Sequence, residues 1–234
     1  MATMGEKPDR GLLEAMQSRA TATAGEFKPQ NVANVLWALT VIGDGLDGFL
    51  VGLMDRLAAR VLDFRTQLSP HHKRQLHLWI LSRDLDMVVS GAPLSSGVSL
   101  VKREIGEECL LAFSGRETHE SWLQRDVAAA LRSTLTDVEI VEEYVDTRSG
   151  YSIDVLLRQR SAAWAVEVDG PTHFLQDGKT PRGSTLLKRK QLGQLGYTVV
   201  PVPFWEWDAL DDEEAKRRYL EDKLRRGEKR SAVD

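Results

Sequence analysis

The chain has 234 residues, 42% of them hydrophobic and 28% charged, with a formal net charge of −4. That length allows one large domain or two small ones with a real hydrophobic core, and the composition is that of a globular chain rather than a disordered one. The negative balance excludes a uniformly basic nucleic-acid binder; a local basic stripe stays compatible with it, because affinity follows local charge. A single cysteine, Cys109, rules out an internal disulfide and suits a reducing compartment. No apolar run approaches the roughly 18 residues needed to span a bilayer, so no membrane is expected as a partner. The opening MATMGEKPDR lacks the apolar core of a secretory signal, and Glu6 and Asp9 make it a poor organelle transit peptide. It reads as the start of a protein that stays where it is made, or as a start that is trimmed or misassigned.

The first third reads as helices. In NVANVLWALTVI, Val32, Val35, Leu36, Leu39 and Ile42 fall at helical spacing, while Ala33, Trp37 and Val41 make a second apolar face. A helix apolar on two sides needs neighbours on both, as in stacked helical repeats. Pro29 suits its first turn. About forty residues on, LSPHHKRQLHLWIL echoes this segment, with Pro70 near the place of Pro29 and Leu78-Trp79 in that of Leu36-Trp37. Helices are expected before each, over Leu12 to Ala20 and Phe49 to Leu62, which makes residues 1–86 a helical-repeat region. Residues 87–117, rich in Gly, Ser and Pro near MVVSGAPLSSGVSLV, read as a linker or extended segment.

From Ser121 the pattern changes to an α/β domain. Ser-Trp-Leu-Gln is a capping-box start, and Leu123, Val127, Ala130, Leu131 and Leu135 share one face of the helix that follows. A strand is expected in VEIVEEYVD. YSIDVLL and WAVEVDG then alternate apolar and polar residues around the turn RQRSA, a hairpin pattern. A basic loop, a helix from about Ser184 to Leu195-Gly196, the strand Tyr197 to Val202, FWEW and an acidic-to-basic helix complete the order α-β-β-β-α-β-α. Residues 227–234 are a tail.

The chemistry concentrates in VEVDGPTHF, Val166 to Phe174. Period-2 geometry puts Glu167 and Asp169 on one face of their strand, and a hairpin with matching faces adds Asp154 from the neighbouring strand. Three carboxylates at a sheet end are a candidate Mg²⁺ site, and such an ion activates water for phosphodiester cleavage. His173, four residues past Asp169, is placed to act as an acid/base or to contact phosphate. Lys179, Arg182, Lys188, Arg189 and Lys190 give five cations against one acid between Asp177 and Lys190, the most basic window in the chain. Trp205, in Trp205-Glu206-Trp207, is a candidate for stacking on bases. Blander readings stand beside each of these: a solvated strand face, a structural histidine, a solvated helix face and aromatics packed in a core. Gly170-Pro171 is a turn at a strand end on any reading.

In order, SWLQRDVAAAL, YSIDVLL, VEVDGPTHF, LLKRKQL, LGYTVVPVPFWEW and YLEDKL resemble the RAP domain, an RNA-binding domain abundant in apicomplexans. The resemblance covers about residues 118 to 226, and FKPQNVANVLWAL looks like the helical repeats that often precede such domains. It implies a restriction-endonuclease-like fold and a mitochondrial or plastid RNA-binding protein acting in RNA processing, stability, or ribosomal RNA maturation and assembly, with RNA and other ribonucleoprotein subunits as partners. No cofactor is implied for binding. The nuclease relatives of that fold imply an alternative, a metal-dependent endoribonuclease using Mg²⁺. Asp154 then matches the first acid of the nuclease motif, Glu167 the second, and His173 the histidine of its Asp-Gly…His variant. Asp169 departs from the pattern, since most such nucleases carry a lysine there that helps activate water; Lys188 is the available substitute. A structural assembly subunit of a ribonucleoprotein is the third reading.

Overall fold

The computed structural model describes residues 1–6, 8–43, 47–115 and 121–231, with side chains described outside 47–51 and 228–231. The chain divides into two units, Met1–Arg116 with Pro181–Leu187, and Glu117–Thr180 with Lys188–Asp234. Among the described residues, no helix is long and apolar enough to cross a membrane.

The first unit contains α1 (Arg10–Thr23), α2 (Pro29–Ile42), α3 (Asp47–Asp63), α4 (Pro70–Ser90) and α5 (Ser96–Ser114). The helix starts carry local caps, and α1 begins at Arg10, two residues before the expected Leu12. Asp9 accepts a hydrogen bond from Leu12 N at 2.9 Å, Pro29 occupies the first turn of α2, and Ser69 forms a capping box with His72. The two apolar faces of α2 are met by α3 and α4, with Val32, Ala33 and Leu36 buried against residues such as Leu57 and Trp79. Trp79 is fully buried, whereas Trp37 is half-buried.

The segment expected as a linker over 87–117 is largely helical. Ser95 caps α5, its hydroxyl accepting from Val98 N, and Val98, Val101, Ile105 and Cys109 bury one stripe of the helix against the same core. The Gly-Ser-Pro run that masked this helix ends at Gly97, and the 3-4-4 spacing of the buried residues begins immediately after it. Only the short stretch 91–95 separates α4 from α5.

The second unit begins with α6 (Trp122–Thr134), followed by strands β1 (Glu139–Val145), β2 (Ser152–Gln159) and β3 (Ala162–Asp169). Then come α7 (Gly183–Gln194), β4 (Thr198–Pro203), the single turn α8 (Phe204–Trp207) and α9 (Glu213–Ser231). The sheet order is β1-β2-β3-β4, antiparallel except for the parallel β3–β4 pair. The α/β order read from the sequence is thus the order observed, with α8 as an addition.

Alternation along the strands separates two faces. Val155, Leu157, Trp164, Val166, Val168, Val200 and Val202 build a core with Leu123, Val127 and Leu131 of α6 and Leu220 of α9. At roughly 1.5–3 kcal/mol for each fully buried large apolar side chain, this face is what fixes the register. Asp154, Glu167 and Asp169 belong to the opposite face.

Candidate functional site

The β2–β3 register pairs Val155 with Val166 and Leu156 with Ala165, so its continuation sets Asp154 beside Glu167. There the backbone ladder gives way to a side chain, with Val168 N donating to Asp154 Oδ2 at 2.7 Å. Across the other edge of β2, the β1 pairing leaves Glu143 opposite Asp154. Glu143 holds a positive φ of 49°, an uncommon conformation for a residue with a Cβ and one that collects at functional or otherwise over-determined positions. Glu143, Asp154, Glu167 and Asp169 therefore form one row of acids across three strands.

Each acid in the row has protein partners. Gln124 of α6 donates from Nε2 to Asp154 Oδ1 at 2.8 Å and to Glu143 Oε1 at 3.2 Å. The same side chain accepts from Ser121 N through Oε1 at 2.5 Å, so one amide caps α6 and bridges two carboxylates. Lys188 Nζ contacts Glu167 Oε2 and lies 5.9 Å from the centroid of the buried Tyr151 ring. Arg189 donates to Asp169 Oδ2 at 2.5 Å, and His173 Nδ1 lies 3.1 Å from Asp169 Oδ1. An acceptor carboxylate at that distance requires the proton on Nδ1.

Burial sets the electrostatics. Glu167 is 2% exposed, and its Oε1 has no hydrogen-bond partner. Loss of water pushes its carboxyl up to about 8, a rise that Lys188 opposes and the neighbouring acids reinforce. Asp169, 1% exposed, goes the other way. Burial alone would raise it, but the hydrogen bond from His173 and the charge and hydrogen bonding of Arg189 outweigh burial and hold it below the usual carboxylate range. Lys188 is lowered by burial but raised more by Glu167 and Asp154, and it stays cationic.

These contacts revise the site read from the sequence. Asp154, Glu167, Asp169 and His173 do come together, but not as a metal cage. Among the described residues, no group of three His, Cys, Asp or Glu side chains is arranged to hold a metal ion. Asp154 and Asp169 have both oxygens engaged by protein donors, and an ammonium lies where Mg²⁺ would need a ligand oxygen of Glu167. The residues present do not fit Mg²⁺. Lys188 and Arg189 likewise turn inward to the acids, with side chains 22% and 21% exposed, instead of forming a basic face with Lys190. Lys179 and Arg182 are exposed, and Lys190 is half-buried. Arg182 belongs to the Pro181–Leu187 segment that groups with the helical unit.

Trp205 packs edge-to-face on buried Phe174 at 4.3 Å and on Phe204 at 5.4 Å. That contact anchors the His173 loop and follows the packing reading, with the FWEW residues on a helical turn, not a strand. Trp207 is buried, and its indole N–H donates to Asp126 at 2.8 Å. A cleft of about 330 Å³ lies elsewhere, lined by residues including Leu135, Val138, Leu157, Trp164 and Leu224. It opens on the apolar side of the sheet and offers the acids nothing.

Three residues near the row escaped sequence reasoning. Gln124 and Glu143 carry no signal without the register, since an amide at a capping position and an acid in an acidic strand are ordinary. Trp122 was readable, because a tryptophan at the first position of a capped helix lies outside the apolar stripe. It is 63% exposed, two residues from Gln124, and Arg125 is exposed one turn on.

Residues 166–223 match the family model for the RAP domain. A relative from Oryza sativa subsp. japonica, called "RAP domain-containing protein, chloroplastic", is 27% identical over 214 residues, covering 88% of this chain and 31% of the relative. The chain thus spans about a third of the length of that curated relative.

Proposed function

We propose, on the match of residues 166–223 to the RAP-domain model, that the chain binds RNA in an organelle, a plastid in view of the relative's name. The observation that carries the reading beyond the family match is the exposed indole of Trp122, with the Arg125 guanidinium one turn away on the same helix face. Tryptophan is seldom left this exposed without a partner, and an aromatic beside a cation is the arrangement that stacks a base and reaches its phosphate. Lys179 adds an exposed cation in the loop after His173. The role follows from the same premise: RNA processing, stability or ribosomal RNA maturation, within a larger ribonucleoprotein. Metal-dependent cleavage gains no support from the geometry of the acids.

The test is RNA affinity by fluorescence anisotropy with single-stranded oligonucleotides. Trp122→Ala is expected to weaken binding by about 1–3 kcal/mol, the range for loss of one base stack. Wild-type affinity retained in Trp122→Ala and Arg125→Ala would remove this surface from the reading.

A further inference from the structure

We propose that Lys188 and Arg189 are the built-in counter-ions of the carboxylate row, so that two side chains fill the role of a divalent cation and the α/β unit works without one. The alternation of β2 and β3 puts Asp154, Glu167 and Asp169 on one face, and left alone three acids at such spacing would repel one another or recruit a metal. Here the first turn after Leu187 presents two consecutive cations to that face. Lys188 goes to Glu167 and lies over the Tyr151 ring; Arg189 goes to Asp169. Asp154, Glu167 and Asp169 bring at most three negative charges and Glu143 at the end of the row a fourth, and the two bases return two.

Apart from one oxygen of Glu167, the carboxyl oxygens of these three acids are engaged without an ion. Asp154 takes Gln124 Nε2 and Val168 N, and Asp169 takes His173 Nδ1 beside Arg189. Glu167 Oε1 is the one orphan oxygen in the row, and a single buried oxygen is far short of the near-octahedral set that Mg²⁺ demands. Mg²⁺ would have to displace an ammonium from a carboxyl 2–3% exposed while meeting Asp154 oxygens already held by neutral donors and Asp169 oxygens held by Arg189 and His173. The sequence feature behind this is the Lys-Arg pair at 188–189, which the charge count of the window presents as an RNA-facing patch.

The proposal is independent of RNA binding, since a metal bound at the row would leave the Trp122 surface untouched. The test is uptake of Mn²⁺ by the full chain, followed by the paramagnetic resonance signal of the free ion and by melting temperature. The wild type is expected to leave Mn²⁺ free and to melt at the same temperature with and without it. Lys188→Gln keeps a neutral donor against Glu167 while removing the charge. It is expected to bind Mn²⁺ at least about tenfold more tightly than the wild type and to regain melting temperature when the ion is added. Stoichiometric uptake by the wild type that disappears in Asp154→Asn would overturn the proposal. So would Lys188→Gln gaining no affinity for Mn²⁺, because the ammonium would then not hold the cation's place. If Lys188→Gln fails to fold, Arg189→Gln supplies the same comparison at Asp169, and the same two outcomes decide.

Discussion

Lys188 Nζ reaches Glu167 Oε2 inside the α/β unit, with the carboxylate 2% exposed and the ammonium held over the ring of Tyr151. The contact reassigns the most basic window of the chain, because a cation committed to a buried acid is not available to a phosphate. It also explains how β3 tolerates an acid on a fully buried stretch, since Glu167 without that ammonium would be left without a partner away from water.

Removing one partner should therefore be far worse than removing both. Above about pH 8, where Glu167 is ionised, Lys188→Met is expected to destabilise the protein by about 3–5 kcal/mol, since it leaves that carboxylate buried and unpaired. The double variant Lys188→Met/Glu167→Gln should recover most of that loss, as replacing a buried pair by neutral groups is often close to neutral. Urea unfolding of the wild type, both single variants and the double completes the cycle. Additive losses would show that the two side chains do not support one another.

Two acids two residues apart should give the stability curve opposite slopes. Asp169 is held below its ordinary value, so its contribution is present above about pH 4 and is lost as the pH falls through its folded value. Glu167 is pushed up to about 8. Between about pH 4.3 and 8 its folded form keeps a proton that the unfolded chain has released, and stability falls as the pH rises through that window. Glu167→Gln should flatten the decline between pH 5 and 8, and Asp169→Asn the loss below pH 4. Urea midpoints across pH check both; a wild-type curve that climbs from pH 5 to 8, with Glu167→Gln parallel to it, would contradict the assignment for Glu167.

The fold of the second unit was legible because its signals are local. Period-2 alternation in YSIDVLL and WAVEVDG marks two strands, Gly170-Pro171 ends the second, and the Ser121 cap starts α6. Asp154, Glu167, Asp169 and His173 were legible as neighbours for the same reason. What those residues touch was not. Whether Lys188 and Arg189 face solvent or the sheet depends on how α7 is rotated, and its weak amphipathicity leaves that open in the sequence. Gln124 and Glu143 meet Asp154 only through contacts 30 and 11 residues apart in sequence, which no spacing rule reaches. Helix α5 was hidden because Ser and Gly at its start read as turn chemistry, when Ser95 is its N-cap and Gly97 lies in its first turn.

Salt dependence separates surface cations from internal ones. Arg125→Ala and Lys179→Ala should each reduce the slope of log affinity against log salt by about 0.7, the value for one contact to a single-stranded phosphate. Arg189→Gln, which removes the charge beside Asp169 but keeps a donor there, should leave the slope unchanged. Anisotropy titrations between low and physiological salt give the slopes. A reduced slope in Arg189→Gln with none in Arg125→Ala would return the phosphate contact to α7.

Gln124 gives the sharpest test of the row itself, because its two ends do different work. Oε1 accepts from Ser121 N to cap α6, and Nε2 donates to Asp154 and Glu143. Gln124→Glu keeps a good capping acceptor, since glutamate serves that position equally well. It removes the donor and adds a third carboxylate between two others. The expected cost is about 2 kcal/mol at pH 7, combining a lost hydrogen bond to charged groups with like-charge repulsion. The repulsive share of that cost is between charges, so it should shrink in acid. Gln124→Ala loses both the cap and the bridge but adds no charge, so its loss should vary less with pH. Adding Glu143→Gln to Gln124→Glu should restore part of the stability at pH 7 and little at pH 4. Equal stability of Gln124→Glu and wild type at pH 7 would mean that Asp154 and Glu143 need no bridge, and that the row is held by the sheet alone.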